Sequence, residues 1–269
     1  MSNEFPYVYM AAGLFNADTN VFNAYLTEQL EKSEYFANND LKCYLPQRDG
    51  FEVAKFVDFL NNAKNIRMDN GELMDPKVAA DIARYVPYYL DLGQYLSKSR
   101  AVVAMIDDPI DSGMVVEIAY AAICNIPVIG LRTDLRSPLG NVTDWIGINP
   151  FPAEQCDVFI KTETPTGGLA EVLKACDDIA GEVIRYLDKY IPLKQNKMAE
   201  NENHIFKNLI QGAQYIFDGI DGNIHTKEAM TEIALNYLHH MPMLNQIAPE
   251  RVEFPPMDLV DPPAASKVG

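Results

Sequence analysis

AVVAMIDDPIDSGMVVEIAYAAICNIPVIGLR, residues 101–132, reads as a buried strand, an acidic turn, an apolar helix and a second buried strand. AVVAMI (101–106) and PVIGLR (127–132) are continuous apolar runs rather than alternating ones, as expected of strands covered on both faces. The segment 113–124 between them has the length of a crossover helix, and such a connection is right-handed and joins parallel strands.

Three more runs fit the same pattern: PYVYMAA (6–12), LKCYLP (41–46) and the weaker CDVFIKT (156–162). Gly13 opens a turn after the first run, followed by a mixed polar and apolar stretch at 18–32. Residues 51–75 are charged and read as loop. DPKVAADIARYVPYYLDLGQYLSKSR (75–100) reads as helical, with Pro87 forcing a break or kink. A further helix fills 168–190. Five short strands alternating with helices predict a doubly wound, flavodoxin-like α/β domain with a five-stranded parallel sheet, spanning residues 1–192. From 193 to 269 the chain reads as a helical extension, two helices joined by FDGIDGN (217–223) and followed by a Pro-rich tail. DGIDGN lacks the acidic spacing and terminal Glu of a calcium loop and reads as a turn.

A formal charge of −16 and a pI near 4.6 argue against nucleic acid or an anionic membrane surface as partner. No basic leader and no bilayer-length apolar run is read, so a cytoplasmic protein is expected. Cys43, Cys124, Cys156 and Cys176 show no metal-binding spacing and read as reduced core residues, and the four histidines lie in the last quarter of the chain. Neither a metal nor a cofactor is implied.

In doubly wound sheets ligands bind beyond the carboxyl ends of the strands. That is where the chain carries Gly13–Phe15, Pro46–Asp49, Asp107–Glu117 and Arg132–Asn141. Glu117 follows Asp111 by six residues, across Gly113, and is the single charge in MVVEIAYAA. If Asp111 or Ser112 caps the helix, Glu117 lies in its first two turns, where the macrodipole favours an ionised carboxylate. The plain alternative makes Asp111 a cap and Glu117 a solvated helix residue. Asp91, in YYLDLGQYL, is an acid among apolar and aromatic neighbours, which raises a carboxyl pKa and lets it hold and donate a proton. Its plain alternative is a cap or surface acid near Gly93. Tyr9 and Phe15 flank the first turn, as core aromatics or as a platform for a flat ligand.

YMAAGLF (9–15), YLPQ (44–47), the Asp91 helix, DSGMVVEIAYA (111–121), PVIGL and RTDLRSPLGN (132–141) resemble, in that order, the nucleoside 2-deoxyribosyltransferase family over about residues 5–165. The resemblance implies a transferase that moves the deoxyribosyl group of a 2'-deoxynucleoside to a free nucleobase through a covalent glutamyl intermediate. It implies Glu117 as nucleophile, Tyr9 orienting it, and Asp91 managing the proton on the leaving and entering bases. Asp111 would lie near the sugar's 5' end or the base, Phe15 and Gln47 would border the base, Gly13 and Gly113 would also contact substrate, and Asn141 would reach a neighbouring subunit's sugar in a homo-oligomer with shared sites. Arg48 and Asp49 depart from the family's pattern after Gln47. One rival is a nucleoside 5'-monophosphate N-glycosidase, disfavoured because Asp111 stands where those relatives carry a phosphate-binding Ser. Another is a non-catalytic nucleotide-sensing module, which would want an acidic pair where MAAGLFN follows the first strand.

Overall fold

The computed structural model describes residues 5–13, 17–51, 53–62, 66, 71–107, 110–133, 149–162, 168–220 and 222–247. Five strands, β1 (Tyr7–Ala11), β2 (Lys42–Tyr44), β3 (Ser99–Met105), β4 (Val128–Arg132) and β5 (Val158–Lys161), form one all-parallel sheet of order β2-β1-β3-β4-β5. This is the doubly wound flavodoxin-like arrangement expected from the alternation of apolar runs. The chain leaves β1 toward β2 and returns on the other side of β1 to form β3. The order therefore switches between β1 and β3, where such sheets open a crevice.

Alternate residues of each strand feed separate cores, as the two-residue repeat of a strand requires. Val8, Met10, Cys43, Val103 and Leu131 pack on one face with α1 (Ala17–Glu31) and α8 (Leu169–Tyr190). Tyr9, Ala11, Tyr44, Val102 and Ala104 pack on the other. The second face is covered by α4 (Val53–Asn62), α5 (Pro76–Tyr88), α6 (Ser112–Ile123), α9 (His204–Ile216) and α10 (Lys227–Ile247). Short helices α2 (Glu34–Asn38), α3 (Pro46–Asp49) and α7 (Pro150–Ala153) complete the connections.

Three segments differ from what the sequence pattern predicts. The mixed run at 18–32 is helix α1, whose buried stripe is Asn23, Leu26, Thr27 and Leu30. Two polar residues at core positions blur its apolar periodicity. Within the 51–75 stretch read as loop, Val53–Asn62 is helical, because Phe56 and Leu60, one turn apart, are buried and Phe56 stacks on Phe51 at 4.5 Å. Pro87 does not end its helix. Helix α5 runs through it to Tyr88, and Tyr89–Tyr95 continues as a π-helix in which Leu96 N–H donates to the Asp91 carbonyl five residues back. Proline has no N–H to give to the preceding turn, and widening of the coil just after it keeps the backbone paired.

The extension from residue 193 shares the second core: Met198, Phe206, Leu209, Ala213, Ile216, Ile233, Ala234 and Tyr237 belong to the same buried cluster as Tyr9 and Tyr44. Its entry is stitched by Asn196, which is buried. The Asn196 amide donates to the carbonyls of Leu96, Ser97 and Ser99 at 2.9–3.2 Å and its oxygen accepts from Met198 N–H at 2.9 Å. Among the described residues no helix is long and apolar enough to cross a membrane.

Candidate active site

Asp111 is the N-cap of α6. Its Oδ1 accepts from Met114 N–H at 2.9 Å and satisfies one of the donors a helix start leaves open. The cap fixes where α6 begins, and Glu117 follows in its second turn. Tyr9, fully buried on β1, donates its hydroxyl to Glu117 Oε1 at 2.8 Å across 108 residues of sequence. Glu117 is thus aimed at the β1–β3 switch rather than at bulk solvent, and the solvated-residue reading does not hold.

Tyr44 is the register partner of Tyr9 on the neighbouring strand, and its hydroxyl donates to Asp91 Oδ1 at 2.6 Å. Its ring stacks on Tyr95 at 3.7 Å, and Tyr95 meets Tyr7 edge-on at 5.1 Å. Asp91 comes to this place on the π-helix. Its surface-acid reading also fails, because its carboxyl faces the buried end of β2. Tyr44 and Tyr95 had no functional reading in the sequence. The only signal for Tyr44 is the β1–β2 register, which a sequence does not display.

The electrostatics follow from burial. Burial pushes the Glu117 carboxyl up to about 8; the charges of Asp91 and Asp111 add to the rise and the Tyr9 hydrogen bond opposes it. Burial likewise raises Asp91 to about 6, against the Tyr44 hydrogen bond. Tyr9 is held well above its usual range by burial, then by the neighbouring Glu117 and Asp91 charges. Two carboxyls that sense each other in one crevice titrate as a pair, and near neutral pH the pair holds one proton. This can supply an anion and an acid at once, without any further group.

The arrangement carries a stability cost that is measurable without a substrate. The folded pKa of Glu117 lies above its usual 4.5, so the native state binds more protons than the unfolded chain between about 4.5 and 8. Stability therefore falls as pH rises through that window and the full penalty is present above it. Glu117 keeps part of its surface in solvent, so the penalty is well below that of a sealed charge. We expect Glu117→Gln to stabilise the fold by roughly 1–3 kcal/mol at pH 9 and not at all at pH 4. Thermal melts across that range read this directly, and equal melting curves at pH 9 would contradict it.

The remaining expected residues divide. Gly13 and Gly113 both border Asp111: a Cβ at Gly13 would lie 3.6 Å from Asp111 Cβ, and one at Gly113 would lie 3.0 Å from Asp111 Oδ1. Gln47, expected to border the base, has its amide engaged with α1. Its Nε2 donates to the Asn20 carbonyl at 2.7 Å, and its Oε1 accepts from Asn23 at 3.3 Å. Asn23 also donates to the Gly13 carbonyl at 3.4 Å, so Gln47 and Asn23 tie the loops after β1 and β2 together. Arg48 and Asp49, the departure from the family pattern, form a structural knot: Arg48 donates to Glu31, Asp49 and the Cys43 carbonyl at 2.8–3.0 Å. Phe15 and Asn141 lie outside the described residues.

No protein-family model and no curated protein matches the chain. A solved structure described as "Crystal structure of conserved protein from Enterococcus faecalis V583" is similar at a TM-score of 0.39 and 20% identity, over 69% of this chain and 98% of that one.

Proposed function

We propose that the protein is a nucleoside deoxyribosyltransferase. The observation that carries this reading is the Tyr9–Glu117 hydrogen bond at the β1–β3 switch, with a second acid, Asp91, close enough to perturb Glu117. In the first half-reaction a Glu117 oxygen bonds to the anomeric carbon of a 2'-deoxynucleoside as the C1'–N bond breaks. The bond's electron pair leaves on the base nitrogen, which takes a proton from Asp91. In the second half a nitrogen of the entering base bonds to C1', its proton passes to Asp91, and the ester C–O pair returns to Glu117. Two displacements retain the starting configuration. The missing 2'-hydroxyl makes the oxocarbenium-like state less costly, so a carboxylate suffices to trap it. The substrates are deoxynucleosides and free nucleobases.

Burial raises both carboxyls, and the reaction needs the proton of the pair on Asp91. A bound nucleoside directs it there: positive charge developing at the anomeric carbon favours the Glu117 anion, and the departing base draws the proton through Asp91. The Asp111 side chain at the start of α6 is a carboxylate, whose charge repels a phosphate and so favours an uncharged 5'-hydroxyl.

The test is to incubate the protein with deoxyinosine and free adenine or cytosine and follow new nucleosides by chromatography. Exchange is expected, with kcat/KM bell-shaped in pH and limbs near 6 and 8, since only the singly protonated pair holds both roles. Free sugar without exchange, or release only from monophosphates, would instead assign a hydrolase.

A further inference from the structure

Tyr9 and Tyr44 are register partners on β1 and β2, so their side chains leave the same face of the sheet, with rings 5.3 Å apart. Each phenol gives its hydroxyl to one acid: Tyr9 to Glu117 Oε1 at 2.8 Å, Tyr44 to Asp91 Oδ1 at 2.6 Å. The Tyr44 ring is buried, with Tyr95 stacked on it at 3.7 Å and Tyr9 tilted against it. A buried ring packed against two others does not swing, so the position of its hydroxyl oxygen is fixed. The Asp91 backbone is fixed as well, since its carbonyl accepts the π-helical bond from Leu96 N–H. A carboxyl oxygen that already accepts a short hydrogen bond is the poorer place for the acid's own proton, which then resides on the other oxygen.

We propose that Tyr44 is a positioning residue that holds Asp91 through Oδ1, so that the proton exchanged with the nucleobase travels on Oδ2. The proposal rests on the deoxyribosyl-transfer reading above. In the first half-reaction Oδ2–H gives its proton to the departing base nitrogen, which holds the electron pair of the broken C1'–N bond, and Asp91 is left as an anion still bonded to the Tyr44 hydroxyl. In the second half Oδ2 takes the proton of the entering base. Oδ1 takes part in neither transfer, and the acid returns to its starting geometry for the next cycle.

The test is Tyr44→Phe in the full chain, which keeps the stacked ring and removes the hydroxyl. For exchange between deoxyinosine and adenine, kcat is expected to fall about 10–100-fold, with KM for deoxyinosine changed less than about threefold. The acidic limb of the pH profile should move up, because a hydrogen bond to the Asp91 anion is lost. Independently of turnover, carbon-13 NMR of labelled aspartate carboxyls, with the Asp91 signal assigned by its loss in Asp91→Asn, should show a higher Asp91 midpoint in Tyr44→Phe. An unchanged midpoint overturns the proposal, as does a moved midpoint with kcat and pH profile both unaltered. If the wild-type protein exchanges no base while the midpoint moves, the transfer reading and the Oδ2 route fail together, and the hold of Tyr44 on Asp91 stands.

Discussion

Glu117→Ala is expected to lower base exchange on the order of 10⁴-fold while the protein remains folded. The size follows from removing a covalent nucleophile: no remaining group can form the ester, and the residual rate is what orientation and the neighbouring acid supply. The folded state should survive because, among the described residues, the hydrogen bond from Tyr9 is what holds the Glu117 side chain, and burial of that carboxyl is itself unfavourable. Removing a buried polar group offsets losing the bond. Exchange rates of the two proteins, with circular dichroism to confirm the fold, make the comparison. A complementary measurement uses the wild-type protein alone: quenching it with deoxyinosine and no acceptor base, then mapping the peptides by mass, should find one deoxyribosyl group on Glu117. If Glu117→Ala exchanged bases at the wild-type rate, the carboxylate would be no nucleophile and the Tyr9 contact would be structural.

Much of this arrangement is legible in the sequence, and what is not has specific causes. The five apolar runs fix the parallel sheet because only strands covered on both faces need to be apolar throughout. Glu117 stood out as one charge in an apolar helix, and Asp91 as one acid among tyrosines and leucines. Both are odd in a core and useful in a crevice. Tyr44 was hidden because its meaning depends on being opposite Tyr9 across two strands that are 35 residues apart in the register Tyr9↔Tyr44. Gln47, which the resemblance puts at the base, has its amide engaged by Asn20 and Asn23 on α1, contacts that the sequence does not display. The π-helix was also invisible, since Pro87 signals trouble in a helix but does not say whether the chain will break or widen. Finally, the close fit of the extension depends on two glycines, Gly93 and Gly212, whose neighbours across the fold no sequence pattern displays.

Those glycines carry the second large expected effect. A Cβ at Gly93 would lie 2.3 Å from the Leu209 carbonyl oxygen and 2.7 Å from Ala213 Cβ, both on α9. Reciprocally, a Cβ at Gly212 would lie 2.2 Å from the ring of Tyr89. The π-helix and α9 therefore cross with backbone against backbone, and Asp91 lies between Tyr89 and Gly93 in sequence, on the turn that α9 backs, with its carboxyl on Tyr44. The obstacle at Gly93 is a main-chain carbonyl, which cannot rotate aside as the end of a side chain could, so Gly93→Ala must push α9 outward or rewind the turn that aims Asp91. Overpacking of this kind costs about 3 kcal/mol. For a chain of this size that lowers the melting temperature by roughly 6–12 °C. Gly181→Ala on α8 is the matched comparison, because nothing lies within 4 Å of its Cβ position. There the usual helix preference for alanine should act alone and raise stability by up to about 1 kcal/mol. Opposite signs at two helical glycines would show that the extension is the backing of the acid-bearing turn. Gly93→Ala should accordingly lose exchange activity at temperatures where it is still folded. A Gly93→Ala protein that melted with the wild type would mean that α9 does not press on this turn.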